Sequence, residues 1–230
     1  MQMKFLSYNI HGARSETPGA RPDVARIAEV IRGYAPDFVA LQEVHRWLPP
    51  PGVFQDQPAQ LRKQLGMEIS FGPTLGSLGA GYGNGILARV QPEEVGNLRL
   101  PGEGEPRCAL MARFGGEGGP FWFWSTHLAL SPEVRLRQCD VLAQELRIAG
   151  LPVVLAGDLN ATPDSPELAL LLDAGFHHCV PPHAPTFPAS SPLLRLDYLL
   201  ATEHFGPGRW EVGESLASDH RPVFATATLS

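Results

Sequence analysis

The chain has 230 residues, an apolar fraction of 43% and a formal charge of -6 at pH 7. That is enough apolar material for a sizeable core, and no window approaches the roughly 20 apolar residues of a membrane helix. Only Lys4 and Lys63 are lysines, and the arginines are scattered, so there is no basic stripe of the kind that wraps duplex nucleic acid.

In chain order, Phe5 to Ile10 is a short β-rich apolar run. Val24, Ile27, Ala28, Val30 and Ile31 recur at helical spacing, predicting an amphipathic helix from Pro22 to Gly33. Phe38 to Leu41 reads as a buried strand, and Gln57 to Leu65 as a short helix. Strands are expected at Ile69 to Phe71, Gly85 to Ala88, Val95 to Leu100 and Ala109 to Phe114, then a glycine turn over residues 115–119 and a strand from Phe121 to Ser125. Ser131 before Pro132 opens the longest helix, to Ala149, with Val134, Leu136, Val141, Leu142 and Leu146 as its candidate buried face. Pro152 to Ala156 is another apolar strand, Pro166 to Leu172 a helix, and Leu196 to Ala201 and Val223 to Leu229 the last strands. Each half thus has a strand, a long helix and a buried strand that ends in a polar motif. Nothing marks a boundary, so one domain over residues 1–230 is expected.

Several features have structural readings. Cys108, Cys139 and Cys179 are too few and too far apart for a disulfide framework. The segment His177-His178-Cys179 with His183 lacks zinc-ligand spacing. Gly79 to Gly85 lacks the Gly-Lys-Ser/Thr ending of a phosphate-cradling loop and reads as a flexible loop beside the site. Trp122 and Trp124, alternating with Phe121 and Phe123, read as packing residues on the two faces of one strand. Trp47, before Leu48 and three prolines, is more exposed by context and could border the substrate cleft or merely pack a loop.

The residues that could carry chemistry interrupt or end apolar strands: Asn9, Glu43, His127, Asp158, Asn160, Asp197 and the pair Asp219-His220. Singly, each suits a cap or turn. Seven such positions together suggest metal-assisted chemistry on a phosphate ester. Magnesium and manganese take oxygen ligands and keep several waters, so Glu43 suits a cation, with Asn9 adding a neutral oxygen or holding the carboxylate. Asp158 suits a base for water, and Asn160, two residues on, would point the same way. His127 and His220 can donate to phosphate oxygens; a histidine kept protonated needs a carboxylate, and Asp197 or Asp219 could serve.

The segments Ser7-Tyr8-Asn9-Ile10, Leu41-Gln42-Glu43-Val44, Ser125-Thr126-His127-Leu128, Gly157-Asp158-Leu159-Asn160, Leu196-Asp197-Tyr198 and Ser218-Asp219-His220-Arg221-Pro222-Val223 resemble the endonuclease/exonuclease/phosphatase superfamily, in its order, from near residue 5 to 225. The resemblance implies a four-layer αββα sandwich, two mixed β-sheets with helices on both outer faces, and a magnesium or manganese site at one end. It implies Glu43, Asn9 and Asp219 at the metal, Asp158 as base with Asn160 as its partner, His127 and His220 on the phosphate, and Asp197 orienting His220. Asn84 falls where relatives often place a polar residue near the phosphate. His11 stands where apurinic endonucleases carry an acid. Arg135 and Gln138 resemble small bacterial phosphodiesterase-like members. The expected activity is divalent-metal-dependent hydrolysis of phosphate esters, with DNA or RNA as the alternative substrate. A non-catalytic binding module would have lost a ligand or the base, and none is missing. A lipid head-group substrate would want an apolar lip, for which residues 47–54 and 75–82 are the candidates. The expected partner is a phosphate-ester substrate, the expected state a monomer without a transmembrane segment, and the expected location cytoplasmic.

Overall fold

A computed structural model describes residues 2–47, 55–76, 80–116, 118–181 and 183–230. Two six-stranded mixed sheets face each other. The first contains β1 (Gln2–Asn9), β2 (Phe38–Arg46), β3 (Glu68–Leu75), β4 (Gly81–Ala88), β11 (Phe205–Val212) and β12 (Val223–Leu229), in the order β11-β12-β1-β2-β4-β3. The second contains β5 (Glu94–Leu100), β6 (Arg107–Phe114), β7 (Phe121–His127), β8 (Val153–Asp158), β9 (Phe176–His178) and β10 (Asp197–Thr202), in the order β5-β6-β7-β8-β10-β9. α1 (Val24–Tyr34) and α2 (Gln57–Leu65) cover the first sheet; α3 (Pro132–Ile148) and α4 (Pro166–Asp173) cover the second. This is the four-layer sandwich.

The expected repetition is topological. β1-α1-β2 and β7-α3-β8 each contain the parallel pair of their sheet, joined by a helical crossover. Every other pairing is antiparallel. Between the sheets lies a phenylalanine cluster: Phe5 stacks on Phe38 at 5.3 Å, and Phe121 meets Phe38 edge-on at 5.2 Å. Edge-to-face and offset pairs add to the gain from burial. Trp124 points the other way, into the helix layer with Phe176, as the alternation along β7 requires.

Some boundaries differ from expectation. α1 starts at Val24, capped by Asp23, which accepts from Arg26 N at 3.1 Å. It runs through Gly33 and ends at Ala35, which is left-handed at φ 46°, before Pro36. β4 begins at Gly81, so this end of the expected flexible loop is a strand; Gly79 lies outside the described residues. Its glycines are steric: a Cβ at Gly83 would collide with the Gly72 carbonyl of β3. β11 was not expected, because Gly206-Pro207-Gly208 breaks its apolar pattern.

α3 turns much of its expected face inward, with Leu142 buried and Val141 and Leu146 packed against the core, but the face is shifted at one position. Leu136 is exposed, whereas Gln138, Cys139, Leu142 and Ala143 are buried. The polar members of that face hold the loop after β7. Gln138 Oε1 accepts from Ala129 N at 2.9 Å and its amide donates to Pro101 O at 2.8 Å. Arg135 donates to Leu130 O at 2.6 Å and to Glu167 at 2.9 Å, with both side chains largely buried. Breaking such a pair strands a buried charge. Arg135→Ala is expected to cost about 3 kcal/mol in urea unfolding; a change below about 1 kcal/mol would mean that Glu167 finds water.

Candidate active site

The polar residues gather at one end of the sandwich because strand ends from both sheets meet there. In the second sheet, strand register puts three of them in a row: Asp158 pairs with His127 across the parallel β7–β8 ladder and with Asp197 across β8–β10. The first sheet brings Asn9 at the end of β1, Glu43 in β2, and Asp219-His220 just ahead of β12.

Glu43 owes its aim to a bulge. Pairing of β2 with β4 shifts between Leu41 and Val44, and Glu43 adopts a left-handed φ of 58°. Asn160 (φ 50°) and His11 (φ 48°) share that conformation. Non-glycine residues held there cost about 1–3 kcal/mol each and cluster at functional sites.

Asp158 is fixed by neighbours from both sheets. Its Oδ2 accepts from Asn9 Nδ2 at 3.0 Å, and its Oδ1 accepts from the Asn160 backbone at 2.9 Å. It lies 3.5 Å from His127 Nε2 and 3.6 Å from His220 Nε2. Asn9 also donates to Glu43 at 3.2 Å. Of the two roles open to Asn9, the contacts are those of a bridge between carboxylates.

The two imidazoles carry opposite charge states. Burial works against protonation of His220, but the Asp197 charge and its 2.9 Å hydrogen bond to Nδ1, with Asp158 and Asp219 beyond, outweigh it and lift the pKa to about 10. Burial pushes His127 down to about 4; Asp158 opposes this, while Arg107 and His220 reinforce it. At neutral pH His220 is therefore a cation and His127 is neutral. Arg107 Nη1 donates to His127 Nδ1 at 3.0 Å, and Nε2 lies on the Asp158 side. The Asn160 amide, 3.1 Å from that Nε2, donates to Leu128 O at 3.0 Å.

Asp197, not Asp219, is the carboxylate partner of His220. Asp219 accepts from Ser218 Oγ at 3.2 Å and faces His11 Nδ1 at 3.6 Å. Asn84 lines a narrow cleft with Glu43, Tyr82, Arg107 and His127, and its amide donates to Cys108 O at 2.9 Å. Arg107 escaped the sequence reading. The one signal is a cation opening an apolar strand, and only the fold shows it buried beneath His127, paired with Glu105 at 2.8 Å. Gln57 escaped as well: it accepts from His45 N at 2.9 Å and donates to Gly12 O at 2.7 Å, clamping the segments that follow Asn9 and Glu43.

Two places merit testing as a cation site. Asp158, Asp197 and His220 present ligand atoms within 4.8 Å of one another. Yet both nitrogens of His220 are already engaged by carboxylates, Nδ1 with Asp197 at 2.9 Å and Nε2 near Asp158 at 3.6 Å. The Glu43 end fits better. Burial raises the Glu43 pKa; the Asn9 hydrogen bond and His11 lower it, and Asp219 and Asp158 raise it further. Carboxylates repelling one another in a low-dielectric pocket want a cation, and this donor set, mainly oxygen, suits magnesium or manganese.

Among the described residues no helix is long and apolar enough to cross a membrane. No curated protein matches this sequence. The fold recurs in an endonuclease/exonuclease/phosphatase from Beutenbergia cavernae, at 26% identity and TM-score 0.82 over 100% of this chain and 72% of that one. It recurs in a family protein from Bacteroides thetaiotaomicron at 18% identity and TM-score 0.83, over 100% and 98% of the two chains. A mannosyl-6-phosphatase of the same organism overlays at 19% identity and TM-score 0.80, over 99% and 100%. The sequence profile of the Endonuclease/Exonuclease/phosphatase family matches residues 6–220, which span every motif of the site. With fold, motif order and profile in agreement, the chain belongs to the endonuclease/exonuclease/phosphatase family.

Proposed function

We propose that this chain hydrolyses phosphate esters with a divalent cation at Glu43 and Asp219 and with Asp158 as the base. The observation that carries the reading is Asp158 held between two imidazoles, 3.5 Å from His127 Nε2 and 3.6 Å from His220 Nε2. An ester phosphate seated over them meets two N–H donors, one charged. Asp158 accepts the proton of a water aimed at phosphorus. Asn160 orients that water, and His220 balances charge growing on the phosphoryl oxygens. Arg107 keeps His127 neutral, and Asn84 walls the cleft. Magnesium or manganese, when bound, supplies Lewis-acid polarisation of a phosphoryl oxygen.

The test is a panel of 4-nitrophenyl phosphate, bis-4-nitrophenyl phosphate, duplex DNA and single-stranded RNA, each with magnesium, manganese or EDTA. EDTA-sensitive release of nitrophenol is expected. Hydrolysis of no ester with either cation would overturn the reading. Nucleic acid is the alternative substrate, and it would show steep salt dependence.

A second reading, an amphiphilic ester such as a lipid head group, is favoured by the rim. Leu130 (75% exposed), Leu193 (77%) and Leu216 (61%) stand on three loops at the catalytic end, joined there by the half-exposed Trp47 and Leu75. The expected lip at residues 47–54 and 75–82 lies partly outside the described residues. A rate jump on phosphatidylcholine vesicles that Leu130→Glu abolishes, with the soluble-ester rate intact, is its expected signature. No jump rejects it.

A further inference from the structure

His11 has no part in the proposed hydrolysis. We propose that His11 Nδ1 is a further ligand of the cation at Glu43 and Asp219, and that this nitrogen makes the site prefer a borderline first-row ion over magnesium. The inference rests on the proposed metal site.

His11, Gly12 and Ala13 form a single turn in which all three residues are left-handed, at φ 48°, 59° and 62°. Such a turn is strained at its non-glycine positions and persists only where its surroundings over-determine it. Here they do. His11 N donates to Asn9 Oδ1 at 3.1 Å, and Gln57 donates to Gly12 O at 2.7 Å. Asp23 N donates to Ala13 O at 2.7 Å, and Arg26 Nη2 donates to it at 3.3 Å. The His45 ring packs so closely under Gly12 that a Cβ there would lie 2.9 Å from its Nε2.

This bracing serves the placement of one ring. His11 Nδ1 is shut off from solvent and has no hydrogen-bond partner. It faces Asp219 Oδ2 at 3.6 Å, too far for a hydrogen bond. A buried ring nitrogen left unpaired carries a desolvation cost. A cation between the imidazole and the Asp219 carboxylate satisfies both. An oxygen-only set suits magnesium, whereas imidazole nitrogen raises affinity along the first-row series toward cobalt and zinc.

The test uses the full chain, titrated calorimetrically with magnesium and with cobalt(II), while visible absorption follows the cobalt ion. The variants are His11→Asn and His11→Asp, since both residues tolerate the left-handed backbone, and thermal melting checks their folding. Wild type is expected to bind cobalt at least about tenfold tighter than magnesium. His11→Asn is expected to lose about ten- to a hundredfold on cobalt, with an altered absorption band and a nearly constant magnesium affinity. His11→Asp is expected to shift preference toward magnesium. An unchanged cobalt-to-magnesium ratio and spectrum in His11→Asn would overturn the proposal while leaving the metal site standing. Undiminished binding of both ions by Glu43→Gln would overturn both.

Discussion

Replacing Asp158 by Asn is expected to lower kcat on a chromogenic phosphodiester by about a thousandfold or more, within the range that general-base catalysis supplies. The side chains are nearly equal in size, and the site is buried, so packing is preserved. What changes is chemistry. The carboxylate now accepts from Asn9 Nδ2 and from the Asn160 backbone through its two oxygens. An amide has one oxygen, so one of these bonds is lost, and an amide accepts no proton from water near neutral pH. Circular dichroism and magnesium titration separate the base from the scaffold: both should resemble wild type. A variant that turns over at the wild-type rate would remove Asp158 from the mechanism.

Asp197→Asn comes next, with a loss of about 10²- to 10³-fold at pH 8, the scale of one lost electrostatic contact to the transition state. In the proposed mechanism Asp197 acts through His220, to which it is hydrogen-bonded. Its charge and its 2.9 Å hydrogen bond outweigh the burial that would otherwise deprotonate the ring. The wild-type profile should therefore keep its His220-dependent activity up to about pH 10. In Asp197→Asn that limb moves down toward or below 6.5, so the deficit shrinks in acid. Stability follows the same sign. The folded pKa is raised, so the contribution of the pair is complete below about 6.5 and is lost as pH rises through about 10. Histidine NMR titration beside the pH–rate profile checks both; a limb that stays in place means that other groups hold the proton.

The legible parts of this protein are those that short-range rules govern. Val24, Ile27, Ala28 and Ile31 announced α1, and the apolar runs ending at Leu41 and Ala156 announced two central strands. The strand-end polar residues announced the site because a long apolar run leaves few places for a carboxylate. What stayed hidden depends on partners distant in sequence. Leu136 looked like core, but α3 turns Arg135 and Gln138 inward to serve the loop after His127. Arg107 opens a strand with no motif around it, and becomes meaningful only where the fold lays it beneath His127. Nor could spacing tell Asp197 from Asp219 as the partner of His220; the β8–β10 register decides it.

The site is divided between the two sheets. Glu43 and Asn9 belong to one, His127, Asp158 and Asp197 to the other, and the seam is crossed by hydrogen bonds from Asn9 to Asp158, from His220 to Asp197, and from Gln42 to Ser125. Neither sheet alone contains an intact site. A slip of one over the other by an ångström would part Glu43 from Asp158 without breaking a single rung of either ladder. The proposed activity would thus be a gauge of how the halves are aligned, one that vanishes while every strand remains formed.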